Sequence, residues 1–226
     1  MTHVTDHGQL MDQTYRYQRL IYDVTRRYYL LGREHLINNI GAAPGDRILE
    51  VACGTGRNLQ MIRRRYPEAN LYGFDISQEM LTTARSKLGH DVTLAKGDAC
   101  AFDPVDLFGV EKFDHIILSY SLSMIPDWEA AMHAAWSKLA DGGTLHIVDF
   151  GQSGRLPVWF RRGLMKWLKR FHVAPRAGLL SVLHDLSLGT VIAADEKWRG
   201  YAIYGQIRRL ELSETLNATA DNGPSR

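Results

Sequence analysis

The residues able to do chemistry gather around one stretch, Glu50-Val51-Ala52-Cys53-Gly54-Thr55-Gly56-Arg57-Asn58. Two glycines one residue apart, directly after an apolar run, let the backbone turn sharply and approach a ligand closely. A helix opening at Arg57 turns its free N–H groups toward the same point. Three more features fall where a nucleotide-like ligand needs them. Asp75 ends the next apolar run, 21 residues after Gly54, where a carboxylate can accept from both ribose hydroxyls. Asp98, within Gly97-Asp98-Ala99, ends a third run and can accept from an adenine amine. Ser119-Tyr120 ends a fourth. The third glycine of a dinucleotide fingerprint is missing, since the next glycine after Gly56 is Gly73. A pyrophosphate is therefore less well served than a smaller ligand.

These residues need a frame that brings them to one edge. Leu20, Val24, Tyr28 and Leu31 recur at spacings of three and four, which predicts helix over 15–40, in one or two pieces. Strands are expected at 47–52, 71–74, 92–95, 113–119 and 144–150. Helices are expected at 57–66, 77–88 and 128–139, with Ser77 as an N-cap and Asp141-Gly142-Gly143 as a turn. Alternation of this kind means a parallel sheet with helices on both faces. Residues 190–210 hold two strand-like runs around Arg199-Gly200, an antiparallel hairpin. The ends, 1–12 and about 213–226, read as loose tails.

The 226 residues, 45% hydrophobic and 23% charged, suit one α/β domain or two small ones. Cys53 and Cys100 are too few for a disulfide framework or a four-cysteine zinc site, and no metal is expected. No apolar run approaches the ~20 residues of a membrane-spanning helix. The polar N-terminus lacks the apolar core of a secretory signal, so a cytoplasmic location is expected. The charge is uneven. Seven Lys or Arg and no acid lie between Gly151 and His184, leaving 20 basic against 25 acidic residues elsewhere, a net of −5. A local basic patch on an acidic protein points to an anionic partner at that place.

That patch reads RLPVWFRRGLMKWLKRFH over 155–172. Leu156, Phe160, Leu164, Trp167, Leu168 and Phe171 follow helical spacing on one side, with Arg162, Lys166, Lys169 and Arg170 opposite. This is the composition of an interfacial helix whose apolar face enters a bilayer while its cations meet anionic head groups. The alternative is a surface helix whose aromatics sit in the protein's own core. Nucleic acid is not expected, because no recognisable binding module accompanies the cations.

The set ILEVACGTG, FDIS, KGDA and LADGGTL, in order between about residues 45 and 150, closely resembles class I S-adenosylmethionine-dependent methyltransferases. The resemblance implies an α/β, Rossmann-like fold with a seven-stranded sheet whose last two strands form the hairpin. It implies S-adenosyl-L-methionine as cofactor, with Gly54 and Gly56 against its methionine part and ribose and Glu50 orienting its amino group. Asp75 would take the ribose, and Asp98 with the Ala99 backbone the adenine. Ala52, Asn58, Ile76, Ser119 and Arg33 complete the implied cofactor site. YRYQRLIYDVTRRYYLLGREHL and SYSLSMIPDW further resemble bacterial diacylglyceryl-homoserine N-methyltransferases of betaine-lipid synthesis. That resemblance implies an N-methyltransferase of a lipid amine. Together with the interfacial composition of 155–172 it leads to the expectation of peripheral binding to the inner face of the cell membrane through that segment, and the methyltransferase resemblance implies residues 1–44 as an aromatic lid. Tyr22, Tyr28, Tyr120 and Tyr204 are candidates for an aromatic wall around the methylated cation. Asp127, His184 and Tyr22 are candidate proton acceptors. A phosphatidylethanolamine N-methyltransferase, a methyltransferase of a small soluble substrate and a non-catalytic membrane-binding module are the alternatives.

Overall fold

A computed structural model describes residues 30–186 and 189–210. Tyr22, Tyr28 and the two expected tails at 1–12 and 213–226 lie outside the described residues.

Five strands run parallel: β1 (Arg47–Val51), β2 (Asn70–Asp75), β3 (Thr93–Lys96), β4 (Phe113–Ser119) and β5 (Leu139–Phe150). The hairpin β6 (Gly189–Lys197) and β7 (Ala202–Arg209) completes a seven-stranded sheet. The order is β3-β2-β1-β4-β5-β7-β6, with β7 antiparallel to both neighbours. Side chains alternate across a strand, so adjacent residues serve opposite faces. On one face Ile48, Ile117 and Val148 pack under α1 (Arg33–Asn38), α2 (Arg57–Arg65) and α3 (Gln78–Leu88). On the other, Leu49, Ile116, Leu118 and Ile147 pack under α4 (Pro104–Phe108), α5 (Trp128–Ser137) and α7 (Leu179–Asp185). Covering both faces explains why β4 reads as an unbroken apolar run. Burying each such side chain contributes roughly 1.5–3 kcal/mol before chain entropy is counted.

Ser77 is the N-cap expected, its Oγ accepting from the Met80 N–H at 3.3 Å. Elsewhere the structure departs from the sequence reading. Residues 15–29 of the first expected helix lie outside the described residues; its described piece opens at Arg33, after Gly32 at φ +89°, and ends at Asn38, short of the expected 40. β5 begins at Leu139, taking Asp141-Gly142-Gly143 into the strand through a register shift against Phe113 and His115. Two short helices were not expected. The α4 helix is started by Asp103, which caps the Val105 N–H, and by Pro104; α7 is carried by Leu179 and Leu183, buried under the sheet. Beneath α1, His115 Nδ1 meets His146 Nε2 and His115 Nε2 meets Asp46 Oδ2, each at 3.2 Å.

The basic segment forms α6 (Val158–Lys169), and the face assigned to a bilayer needs correction. Leu168 is 1% exposed, and Leu156, Leu164, Trp167 and Phe171 pack beside it on the core with α1 and α2. Hydrophobic periodicity only says that a face must be covered, and here the chain covers it itself. Val158, Trp159 and Phe160, in the first turn, remain exposed.

Candidate active site

β1 delivers Glu50 to its end and the chain then turns through three left-handed residues: Ala52 at φ +54°, Gly54 at +55° and Gly56 at +73°. The two glycines answer to different demands. A Cβ on Gly56 would lie 2.5 Å from Leu88 Cδ1, so this glycine lets α2 and α3 approach. A Cβ on Gly54 would meet nothing within 4 Å; its bareness faces the space beyond the strand ends, where a ligand packs. Asp75 holds the turn. Its Oδ2 accepts from the Gly54 N–H at 2.8 Å and its Oδ1 from the Ser77 N–H at 2.9 Å.

Behind the turn, Glu50 Oε1 accepts from Asn58 Nδ2 at 2.7 Å, both residues buried. Glu50 Oε2 and Asn58 Oδ1 are buried acceptors without a hydrogen-bond partner among the described residues. Burial pushes the Glu50 carboxyl from 4.5 up to about 8, against the pull of Asn58 and of the Arg33 charge. Two adjacent unsatisfied acceptors, one of them a carboxyl, call for a donor, and an ammonium group supplies donors and a compensating charge. Farther along the edge, Asp98 is half-buried with its Oδ1 accepting from the Cys100 N–H at 2.9 Å. Ser119 closes the row with a buried Oγ that has no hydrogen-bond partner among the described residues. Glu50, Asp75, Asp98 and Ser119 thus stand at one edge, on or just past four neighbouring strands, about 14 Å across. That span suits a nucleoside carrying an amino-acid tail.

A family model described as "Methyltransferase domain" matches residues 48–143, a stretch that holds this whole row. Over residues 48–143 the chain is similar to that domain, and its sheet has the Rossmann-like methyltransferase fold. S-adenosylmethionine is the cofactor of this domain, and the residues present fit it: Gly54 leaves space, Glu50 and Asn58 offer acceptors for the amino group, and Asp75 sets a carboxylate at the end of β2 beside the turn, where ribose hydroxyls would need an acceptor. A demethylmenaquinone methyltransferase of Listeria welshimeri is 26% identical over 148 residues, covering 63% of this chain and 61% of that protein. One of Deinococcus radiodurans is 28% identical over 185 residues, covering 77% and 73%. The chain thus spans about three fifths of the length of the Listeria relative. Among solved structures, a chain from the complex between the Haloferax volcanii Trm112 methyltransferase activator and a methyltransferase shares the fold. Its TM-score is 0.71 at 14% identity, over 88% of this chain and 99% of that one.

In this methyltransferase fold, Arg33 is brought to the site from α1. Its charge acts on Glu50, and its guanidinium lies 5.9 Å from the Tyr120 ring centroid. Ala52, Ile76 and Ala99 flank Gly54, Asp75 and Asp98 as expected from their positions in the chain. Of the expected wall and bases, the described residues Tyr120, Tyr204 and Asp127 have partners within the fold, and His184 lies elsewhere. Tyr120 takes φ +55°, donates its hydroxyl to the Leu31 carbonyl and packs edge-on against Phe150, which ties the segment before α1 to the end of β4. Tyr204 is 3% exposed; its hydroxyl donates to Gln206 Oε1 and its ring meets His35 edge-on. Asp127 caps α5, accepting from the Ala130 N–H. His184 is exposed in the last turn of α7, which leads to the start of β6 at the opposite edge of the sheet.

One residue escaped the sequence reading. Asp149, 1% exposed near the end of β5, accepts from the Ser123 and Phe150 N–H groups at 3.0 and 2.7 Å. It pins the segment after β4 to β5 and so shapes the floor beside Ser119. The signal was present as a single acid inside the apolar run Leu145-His146-Ile147-Val148-Asp149-Phe150.

Proposed function

We propose that this chain methylates a lipid-borne acceptor, the amine of diacylglyceryl-homoserine, in three successive transfers that yield the trimethylated betaine lipid. The observation that supports a lipid acceptor is the exposed Val158-Trp159-Phe160 turn of an acid-free basic helix that follows β5 from the edge carrying the glycine turn. The resemblance of the N-terminal aromatic segment and of SYSLSMIPDW supports the amine. When bound, S-adenosylmethionine supplies an electrophilic methyl group on a sulfonium. The chain's own residues hold the partners in line and exclude water, which is where most of the rate enhancement of such a displacement arises. The attacking amine must be neutral. Asp127 and His184 are exposed, so in this reading water takes the proton and no buried base is needed. Arg33 is committed to the Glu50 end of the site, which leaves a phosphatidylethanolamine phosphate only the α6 cations as partners.

A second reading is favoured by the names of the relatives: methylation of demethylmenaquinone. Mass spectrometry of lipid extracts from cells with and without the protein separates the two. Amine lipids heavier by one, two and three methyl groups support the first reading. A naphthoquinone heavier by one methyl group, with amine lipids unchanged, replaces it with the second. No change in either fraction refutes a lipid acceptor.

A further inference from the structure

We infer that the outward face of α6, together with the tip of the β6–β7 hairpin, is a rigid docking surface for an anionic lipid bilayer. It presents the cofactor edge of the sheet to the membrane. This deepens the lipid reading above but is measured without turnover, so either can fail alone.

The inner side of α6 is anchored by Leu168 and its neighbours, so what α6 offers to a partner is its other side. At 100° per residue, Lys169, Arg162, Lys166, Trp159 and Arg170 fall within roughly 100° of the wheel, centred away from Leu168. All five are exposed, Trp159 to 76%. None of the four cations makes an ion pair with a described residue. A helix face with four uncompensated cations around a bare indole suits an interface of anionic head groups over hydrocarbon, because each component meets its own partner there.

The hairpin extends this surface. Residues 151–155 are laced to its tip by three backbone bonds, Gly151 N–H to the Tyr201 carbonyl, Ser153 N–H to Gly200 and Arg155 N–H to Arg199. That tip carries Trp198, 42% exposed, and the exposed Arg199. Phe150 pairs with Ala202, and Ser119 with Val148, so the tip stands at the edge where the glycine turn and Ser119 lie. A bilayer seated on Trp159 and Trp198 therefore faces the open side of the cofactor cleft. The face that periodicity alone selects, centred on Leu164 and Leu168, is not available to it.

The test is flotation of the full chain with phosphatidylcholine vesicles, with and without phosphatidylglycerol, at low and high salt. Wild type should float with the anionic vesicles at low salt and be released by high salt, since exposed charges are screened within ~8–10 Å. Each Lys or Arg near an anionic surface is worth about fivefold in binding. The pair Lys166→Glu and Lys169→Glu should therefore weaken it at least about 25-fold. Trp159→Ala and Trp198→Ala should also weaken it while S-adenosylmethionine still binds, which certifies the fold. Arg64→Glu, an exposed cation on α2, should float as wild type does. Failure of wild type to float, or equal loss with Arg64→Glu, overturns the proposal. Retention on bulk RNA without flotation also overturns it and assigns the face to a nucleic acid.

Discussion

Replacing Glu50 by Gln should make the unliganded protein more stable and the cofactor weaker, and the two effects have a common cause. The native state binds the Glu50 proton more tightly than the unfolded chain does, since burial raises the carboxyl from 4.5 to about 8. Below pH 4.5 both states are protonated and the residue costs nothing. As pH rises through this window the unfolded chain ionises first, so the cost grows until it levels above about 8. At pH 7 it amounts to at most ~3 kcal/mol. Gln keeps the acceptor that Asn58 Nδ2 uses but sets an N–H where Oε2 stood, which gives back ~1 kcal/mol. The net gain of ~2 kcal/mol should raise the apo melting temperature by roughly 4–8 °C at pH 7; at pH 4, where only the loss of ~1 kcal/mol remains, it should fall by roughly 2–4 °C. Cofactor affinity should fall about 10- to 150-fold, the worth of a charge-assisted hydrogen bond to an ammonium group. Differential scanning fluorimetry against pH and calorimetric titration of S-adenosylmethionine measure the two. A lower melting temperature at pH 7 with unchanged affinity would refute the reasoning: Glu50 would then be an ionised structural partner of Arg33.

Gly54→Ala should cost only ~1–2 kcal/mol of stability, the strain of a left-handed alanine, while sharply weakening S-adenosylmethionine in the same titration. Gly56→Ala should do the reverse, because its Cβ strikes Leu88 at 2.5 Å; equal effects of the two changes would deny them separate roles. Asp75→Ala should lower both quantities, since it removes the acceptor of the Gly54 and Ser77 N–H groups as well as a ribose partner, each at ~1.5–3 kcal/mol. Unchanged affinity in calorimetry would remove Asp75 from the cofactor site. Burial, and then His115, holds His146 at about 3, well below 6.5. Its contribution to stability is therefore intact above pH 6.5 and lost as pH falls toward 3. His146→Leu should flatten urea-denaturation stability across that window, and an unaltered pH profile would show that acid unfolding starts elsewhere.

Much of this protein was legible in its sequence because the signals are local. The turn at Gly54 and Gly56, the Ser77 cap and the alternation of strand and helix depend on a few consecutive residues and their backbone preferences. The acids at Glu50, Asp75 and Asp98 follow, because the C-terminal ends of parallel strands share one edge wherever the strands lie in the sheet. The short helices at Pro104 and Leu179 complete fewer than two turns each and leave too few positions for a period to register. The roles of Tyr120 and Tyr204 were decided by partners far along the chain for Tyr120, Leu31, and across α1 for Tyr204, His35. The effect of the Arg33 charge on Glu50 likewise needs α1 laid on the sheet. The clearest division is at α6. Its sequence demanded that Leu164 and Leu168 be covered and that its cations face outward, but an apolar stripe is satisfied equally by a bilayer or by the protein's own core. Only tertiary packing, which joined that stripe to the buried cluster on one face of the sheet and left Trp159 exposed among the cations, decided which side of the helix meets the outside.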